Sequence, residues 1–207
     1  MVNFVSAITY DEGLALSSLA RKAAKERAIL VEIGSWMGYS ASIIAAVIKE
    51  IGGQLYCVDH WRGAKGSGLD NEAKTENIYA IFESNLRALD LWWYINTIVK
   101  DSLVASKDFG NGSIDFLFID ADHRYESFIA DLKAWIPKVK AGGIVCGHDC
   151  ERYYHSCTPE LKQRIDDNLD KDFDGNYHCG VIKGLYDFMG DSYTIVPNTR
   201  LWFKMLP

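Results

Sequence analysis

Residues 31–40, VEIGSWMGYS, constrain the fold of this chain more than any other segment. An apolar run over residues 28–33 is followed by a turn with two glycines, and a helical pattern begins directly after it at Ala41. A strand, a tight turn and a helix in this order form the usual cradle for a nucleotide-like cofactor in an open α/β sheet. The segment therefore predicts an α/β fold with a cofactor site at Gly34 and Gly38.

The side chains of this turn indicate which cofactor fits. In a G-x-G-x-x-G count that starts at Gly34, Trp36 and Tyr39 occupy the second and third glycine positions, where their bulk would block a pyrophosphate. Glu32 favours a cationic ligand over a phosphate. S-adenosylmethionine (SAM) has an adenosine and a positively charged sulfonium but no phosphate, so we expect SAM here and disfavour a nicotinamide cofactor. The helix that starts near Ser40 offers free backbone N–H groups to the SAM carboxylate.

Length and composition predict one cytoplasmic domain over residues 1–207, with an insertion at about 150–176. The formal net charge is -6 and the charged fraction is 24%, so neither nucleic acid nor an anionic membrane is an expected partner. No apolar run is long enough for a transmembrane helix, and the N-terminus lacks the pattern of a signal peptide. Five cysteines without framework spacing suggest reduced thiols.

Strand and helix patterns alternate along the whole chain. This alternation predicts a doubly wound, mostly parallel seven-stranded sheet that ends in an antiparallel hairpin, a Rossmann-like α/β fold. The predicted parallel strands are Ala28–Ser35, Gln54–Asp59, Ile95–Asp101, Ile114–Asp120 and Gly143–Asp149, and the hairpin is Tyr193–Pro197 with Leu201–Met205. The predicted helices are Thr9–Lys25, Ala41–Ile51, Thr75–Leu89, Tyr125–Trp135 and Val181–Met189. We expect a loop over His60–Lys74 and a tight turn at Lys140–Gly143.

Each predicted parallel strand ends in a polar residue. Because such strand ends lie side by side at one edge of a sheet, these residues are expected to converge on the cofactor. Asp59 follows Gly38 by 21 positions, where an acid can accept hydrogen bonds from a ribose diol, and Trp61 is expected either to stack on adenine or to cover the loop. The predicted cofactor contacts are Glu32, Gly34, Ser35, Gly38, Ser40, Asp59, Trp61, Asp101, Ser102 and Asp120. The alternative for any one strand-end acid is a helix cap or a solvated loop residue.

A second group of polar residues predicts metal chemistry. Asp120, His148 and Asp149 offer oxygen and nitrogen ligands for Mg²⁺ or another divalent cation, which would lower the pKa of a substrate hydroxyl. His123 is expected to titrate near neutrality and to act as the catalytic base. Asp120 is the second expected catalytic residue and would position the metal. The alternative is that His148 and Asp149 only shape the sheet edge. A calcium loop near Asp170 is rejected because its twelfth position lacks a glutamate, and structural zinc is rejected because the sequence has no C-x-x-C pair.

Taken together, these motifs resemble the class I SAM-dependent methyltransferases. The resemblance is closest to methyltransferase family 24 and extends to the metal-dependent catechol-type O-methyltransferases. The matching segments are Val31–Ala41, Val58–Trp61, Phe118–His123, Gly142–Val145, Gly147–Asp149, Val181–Phe188 and the final hairpin.

The resemblance implies roles for individual residues. Cofactor contacts fall on Glu32, Gly34, Ser40, Asp59 and Ser102. It also places Asp120, His148 and Asp149 where the catechol-type enzymes hold magnesium. His148 replaces a carboxylate there, and His123 stands where those enzymes have a catalytic lysine.

The leading hypothesis is a SAM-dependent methyltransferase that acts on a hydroxyl of a small acceptor, which is phenolic, sugar-like or natural-product-like. One alternative uses the same pocket for another reaction, such as hydroxylation. Another is a non-catalytic protein that binds SAM or adenosine. The aromatic segment Leu91–Tyr94 is interpreted as packing under a loop, with a homodimer contact as the alternative.

Overall fold

A seven-stranded sheet forms the centre of the computed structural model, which describes Val2, Phe4 and residues 8–207. The strands are β1 (Ile29–Ile33), β2 (Gln54–Asp59), β3 (Ile95–Val99), β4 (Ile114–Ile119), β5 (Val139–Gly147), β6 (Thr194–Ile195) and β7 (Trp202–Met205). Their order across the sheet is β3-β2-β1-β4-β5-β7-β6. β1 to β5 run parallel, and β7 is antiparallel to both β5 and β6. The predicted fold class is therefore confirmed.

Helices cover both faces of this sheet. They are α1 (Tyr10–Ala23), α2 (Tyr39–Ile51), α3 (Leu69–Thr75), α4 (Ile78–Ala88), α5 (Ser102–Ala105), α6 (Tyr125–Trp135), α7 (Pro159–Asp166) and α8 (Cys179–Met189). One core lies between the sheet and α1, α2 and α4, and the second lies between the sheet and α6 and α8. α1 begins at the predicted capping box, in which the Thr9 N–H donates to Glu12 Oε2 at 2.8 Å.

The central strand β4 shows why the chain folds into two layers of core. All six of its residues are buried, as expected for a parallel strand with helices on both faces. Phe116 and Phe118 point into the core of α1, α2 and α4, whereas Leu117 and Ile119 point into the core of α6 and α8. The alternation of side chains along the strand thus divides one apolar run between two cores.

Two local predictions are wrong. Lys140–Gly143 was predicted to be a turn before β5, but it is part of the strand, which begins at Val139. The pairing of β5 with β4 shifts register near Gly142, whose φ is +74°. A glycine accommodates such an irregularity at low cost. The predicted loop His60–Lys74 contains most of α3, because Gly68 and the acids that follow it start a short helix.

The insertion at 150–176 connects β5 to α8 and contains α7. Thr158 caps this helix, and its hydroxyl accepts the Leu161 N–H at 3.3 Å. All five cysteines of the chain fall in its described part and are free and buried. No helix among the described residues has the length and apolar character that a membrane crossing requires.

The start of α8 packs directly on the segment that precedes α6. A β-carbon on Gly180 would overlap backbone atoms of His123 and Tyr125, which cannot move aside as a flexible side chain can. We therefore expect Gly180→Ala to lower the free energy of unfolding by about 1–3 kcal/mol, measured by urea denaturation.

Gly110→Ala is the matched control. A β-carbon on Gly110 would meet no atom within 4 Å, so this substitution should change the unfolding free energy little. Equal stability of the two variants would contradict the close contact between α8 and the start of α6.

Candidate active site at the carboxyl edge of the sheet

The glycine turn after β1 is shaped by its contact with β4. Gly34 has a φ of +86°, and a β-carbon there would overlap the carbonyl oxygen of Asp120. The Gly34 N–H donates to the carbonyl of Val58 at 2.9 Å, and the Asp120 N–H donates to the carbonyl of Ile33 at the same distance. The hydrogen bonds between neighbouring strands therefore continue to the carboxyl ends of β1, β2 and β4, and they bring Gly34 into contact with Asp120.

Asp59 ties the end of β2 to this turn. Its Oδ2 accepts the backbone N–H groups of Ser35 and Trp36 at 3.0 and 2.9 Å, and its Oδ1 accepts that of Trp61 at 2.6 Å. A carboxylate has about four lone-pair positions, so Asp59 retains capacity for one further donor.

A cavity of about 400 Å³ opens beside Asp59, at the carboxyl ends of β1, β2 and β4. Ligand pockets are typically about 300–1,000 Å³. Six of the predicted cofactor residues or turn residues line the cavity: Gly34, Trp36, Asp59, Asp101, Ser102 and Asp120. The segment Arg62–Lys65 forms one wall, and Arg124 donates a hydrogen bond to the carbonyl of Lys65.

Five other predicted contacts do not line this cavity: Glu32, Ser35, Gly38, Ser40 and Trp61. Trp61 is the clearest departure from the expectation that it stacks on adenine. Its indole N–H donates to the carbonyl of Trp36 at 2.8 Å, and its ring packs against Tyr79 and Phe82 in the core. The Trp61 ring therefore packs beneath the turn, on the core side rather than in the cavity.

Glu32 is fully buried beneath the same turn. Ser35 Oγ donates to Glu32 Oε2 at 2.5 Å, whereas Glu32 Oε1 has no hydrogen-bond partner among the described residues. Desolvation by burial raises the pKa of the Glu32 carboxyl to about 7. A positive charge nearby, such as a sulfonium, would stabilise the ionised form of this carboxyl.

Asp131 is a cavity residue that the sequence did not single out. It lies in α6, and its Oδ1 accepts the Ser102 hydroxyl at 2.5 Å, while Ser102 Oγ accepts the indole N–H of Trp135 at 2.8 Å. The Ser102 hydroxyl, one of the predicted cofactor contacts, thus already makes two hydrogen bonds within the protein. Burial raises the pKa of Asp131 to about 7. The only sequence signal was an acid on the apolar face of an amphipathic helix.

Beside the cavity lies a group that we call the imidazole–carboxylate cluster, formed by Asp120, His123, His148, Asp149 and His178. His123 Nε2 is 3.5 Å from Asp120 Oδ1 and 3.1 Å from Asp149 Oδ2. His148 Nδ1 is 3.1 Å and His178 Nδ1 is 3.3 Å from Asp149 Oδ1. Asp149 therefore contacts three imidazoles. The sequence had brought together four of these residues but not His178.

Further charged residues surround the cluster, although no sequence pattern indicates that they lie close to it. Glu12 of α1 lies 3.2 Å from His148 Nε2, and Arg200 lies 2.9 Å from Asp149 Oδ1. Asp172 of the insertion lies 3.0 Å from His123 Nδ1, and Glu151 lies 2.6 Å from His178 Nδ1. The distances around His148 are those of ion pairs, although neither of its nitrogens meets hydrogen-bond angles.

The carboxylates change the expected chemistry of both inner histidines. Burial alone would lower the pKa of His123, but hydrogen bonds to Asp120, Asp149 and Asp172 outweigh it and raise that pKa well above its usual value. In the same way, Asp149 and Glu12 overcome the effect of burial and raise the pKa of His148 to about 10. This direction departs from the expectation that His123 titrates near neutrality.

The parallel sheet with its terminal hairpin and the cavity at the strand ends define a class I, Rossmann-like methyltransferase fold. A family model described as "Methyltransferase domain" matches residues 31–150, which is more than half of the chain. The chain therefore belongs to this family, methyltransferase family 24, whose members are class I SAM-dependent methyltransferases.

Two solved structures illustrate the similarity in fold. TomG from Streptomyces achromogenes, an O-methyltransferase involved in tomaymycin synthesis and solved with SAM, is 17% identical with a TM-score of 0.60, over 97% of this chain and 82% of that one. An O-methyltransferase from Bacillus cereus, solved with S-adenosylhomocysteine (SAH), is 16% identical with a TM-score of 0.61, over 97% of this chain and 84% of that one.

Curated relatives are more similar in sequence but longer. The protein R132 of Acanthamoeba polyphaga mimivirus is 28% identical over 144 residues, which are 67% of this chain and 58% of that protein. A second relative is 26% identical over 61% of this chain, which corresponds to 13% of its own length. The chain thus spans less than two thirds of either relative.

The buried Glu32 carboxyl predicts a specific dependence of stability on pH. Because its pKa rises from 4.5 to about 7 on folding, the folded protein binds this proton more tightly than the unfolded chain. The Glu32 contribution to stability is therefore present below pH 4.5 and falls as the pH rises towards 7. Glu32→Gln should remove this loss. The free energy of unfolding of the variant, relative to that of wild type, should therefore increase by up to about 3 kcal/mol as the pH rises from acidic to mildly alkaline.

Urea denaturation at several pH values measures this difference. Glu26→Gln, at an exposed position outside the turn, is the control and should follow wild type at every pH. If the difference in unfolding free energy between Glu32→Gln and wild type did not change with pH, folding would not raise the pKa of the Glu32 carboxyl.

Proposed function

We propose that the chain transfers the methyl group of SAM to a hydroxyl of a small molecule with the help of a divalent cation. The observation that carries this proposal is the position of Asp120. Its carboxylate lines the cavity of the predicted cofactor residues and also lies 3.5 Å from His123 in the imidazole–carboxylate cluster. A cofactor in the cavity and an acceptor at the cluster would therefore meet at one residue.

In this proposal the cavity holds the adenosyl part of SAM. Asp59 accepts a ribose hydroxyl at its remaining lone-pair position, and Asp101 and Asp131 face the adenine end of the cavity. Glu32 lies buried beneath the turn and outside the cavity lining, and a sulfonium nearby would favour the ionised form of its carboxyl. The segment Arg62–Lys65 excludes water from one side, which strengthens each of these electrostatic contacts.

The reaction is an in-line substitution. The acceptor oxygen forms a bond to the methyl carbon while the bond from carbon to sulfur breaks, and sulfur keeps the electron pair to give SAH. The hydroxyl proton leaves to a base or to solvent. Because the methyl group is already activated, the protein contributes mainly alignment and removal of water.

The residues of the cluster fit a divalent cation. Ligand atoms of Asp120, His148 and Asp149 lie within 4.8 Å of one another, and a nitrogen and two carboxylates suit a hard or borderline ion. Such an ion would lower the pKa of the acceptor hydroxyl and so supply an oxyanion at neutral pH. Asp120 and Asp149 would orient the acceptor through this ion.

The acceptor is proposed to be a small phenolic, sugar-like or natural-product-like molecule. This proposal is supported by the similar fold of TomG, an O-methyltransferase involved in tomaymycin synthesis. The five free, buried thiols agree with the cytoplasmic location that the sequence predicts.

Product mass tests the reaction type. The protein is incubated with SAM that carries a deuterated methyl group and with a panel of phenols and sugars, and the products are analysed by mass spectrometry. Transfer adds one deuterated methyl group and yields SAH in equal amount. A product that gains oxygen instead would favour the hydroxylase alternative, and SAM binding without any product across a broad panel would favour a binding protein.

Asp59→Ala should weaken the binding of SAH. The substitution removes the ribose acceptor and the support of the turn, and a charged hydrogen bond contributes about 1.5–3 kcal/mol, so the dissociation constant should rise about 10- to 100-fold. Isothermal titration calorimetry measures it. Asp167→Ala, in the insertion and outside the cavity, is the control, and equal SAH affinity of both variants would refute the proposed cofactor site.

His123→Ala should leave SAH binding within about threefold of wild type and lower turnover at least about 100-fold. His123 lies in the cluster and does not line the cavity, so its removal affects the acceptor and the cation rather than SAM. His155→Ala is the control, because His155 is exposed and pairs with Asp191. Unchanged turnover of His123→Ala would remove this histidine from the mechanism.

A further inference from the structure

Two imidazoles flank Asp149 on the side of the cluster away from α1. His123 Nε2 lies 3.1 Å from Asp149 Oδ2, and His178 Nδ1 lies 3.3 Å from Asp149 Oδ1. The two rings meet edge to face with centroids 4.7 Å apart. Ligand atoms of all three residues lie within 4.8 Å of one another, which is compact enough for a single ion.

Each imidazole has a carboxylate that fixes its orientation. Asp172 Oδ1 lies 3.0 Å from His123 Nδ1, the nitrogen that faces away from Asp149. Glu151 lies 2.6 Å from His178 Nδ1 and accepts the backbone N–H of His178 at 3.2 Å. Asp172 thus meets His123 at its second nitrogen, an arrangement that is typical beside metal ligands because it fixes the ring and raises its basicity. Glu151 instead fixes His178 at its backbone and at Nδ1, the nitrogen that also faces Asp149.

The backbone also holds the two rings in place. Gly180 packs against the backbone of His123 and Tyr125, which brings the start of α8 to the start of α6. Asp149 is the second residue after β5 and has a φ of +61°, an unusual conformation for a residue other than glycine. Three separate elements therefore bring one ligand each to the same point.

His148 differs from these two histidines. It is 2% exposed and lies between Glu12 and Asp149, so its ring fills the space between α1 and the sheet edge. The side chain of His123 is 18% exposed and that of His178 is 11% exposed, so both are more accessible than His148.

We propose that His123, Asp149 and His178 form a nitrogen-rich site for a borderline divalent transition-metal ion, such as Zn²⁺, Mn²⁺, Fe²⁺ or Co²⁺. Two imidazoles and one carboxylate leave open positions for an acceptor oxygen. Mg²⁺ prefers oxygen ligands and an octahedral shell, so it suits this set poorly. The inference keeps the cation of the proposed function but replaces Asp120 and His148 by His123 and His178 as its ligands, which assigns His123 to the ion rather than to proton removal. It rests on the proposed function only for its catalytic meaning.

Metal binding itself tests the inference. Chelator-treated, metal-free protein is titrated with Co²⁺ at neutral pH, and the visible absorption that reports nitrogen ligation is followed. One equivalent of Co²⁺ should produce the band, and Zn²⁺ should compete at least about 100-fold more strongly than Mg²⁺ in parallel calorimetry. Equal affinity for Zn²⁺ and Mg²⁺ would overturn the inference.

Single variants locate the ion. His123→Ala and His178→Ala should each weaken Co²⁺ binding about tenfold or more and change the absorption band, whereas His155→Ala should bind as wild type. Thermal unfolding of the metal-free variants shows that each is folded. Loss of binding in Asp149→Asn but in neither histidine variant would move the ion to Asp120, His148 and Asp149 and refute the proposed ligand set.

The inference and the proposed function can fail separately. SAH binding is measured by calorimetry on the metal-free protein, since the cavity residues do not include His123 or His178. Absence of SAH binding with intact Co²⁺ binding would refute the methyl-transfer proposal alone. SAH binding and methyl transfer without selective Co²⁺ binding would refute the metal site alone.

Discussion

The carboxylate of Asp149 is the interaction on which the edge of this sheet depends. It lies within 3.3 Å of three imidazoles and within 2.9 Å of the Arg200 guanidinium. Burial alone would raise its pKa, but His123 and His148 hold the pKa well below the usual value. A buried charge is tolerated only with such partners. The end of β5, the starts of α6 and α8 and the terminal hairpin therefore converge on one anion.

The charges around Asp149 explain why protons and metal ions would compete at this edge. Several carboxylates surround the histidines, and in the free protein the raised pKa values of His123 and His148 mean that protons provide part of the compensating charge. A divalent ion brings the same charge to one point and requires neutral imidazole ligands. The carboxylates that raise the pKa of His123 would therefore also favour a cation bound to its imidazole.

The sequence predicted the sheet and the strand-end acids because both follow from local rules. Strand ends are marked by a change from apolar to polar residues, and parallel strands bring those ends together, as Asp59 and Asp120 show. His178 and Asp131 were missed because their positions depend on the packing of α8 and α6, and no local pattern encodes it. Trp61 was assigned to the cofactor because an aromatic residue after a strand-end acid has the same sequence signature whether it faces a ligand or the core.

Gly34 connects the motif that identifies the fold with the chemistry of the cluster. Its missing side chain is required because the backbone of Asp120 occupies that space, rather than because a phosphate approaches the turn. With β1 and β4 this close, the Asp120 carboxylate lies between the cavity and His123. The glycine that predicts a SAM site in the sequence thus also brings that site against the cluster, so the cavity and the imidazole–carboxylate cluster form a single structural unit.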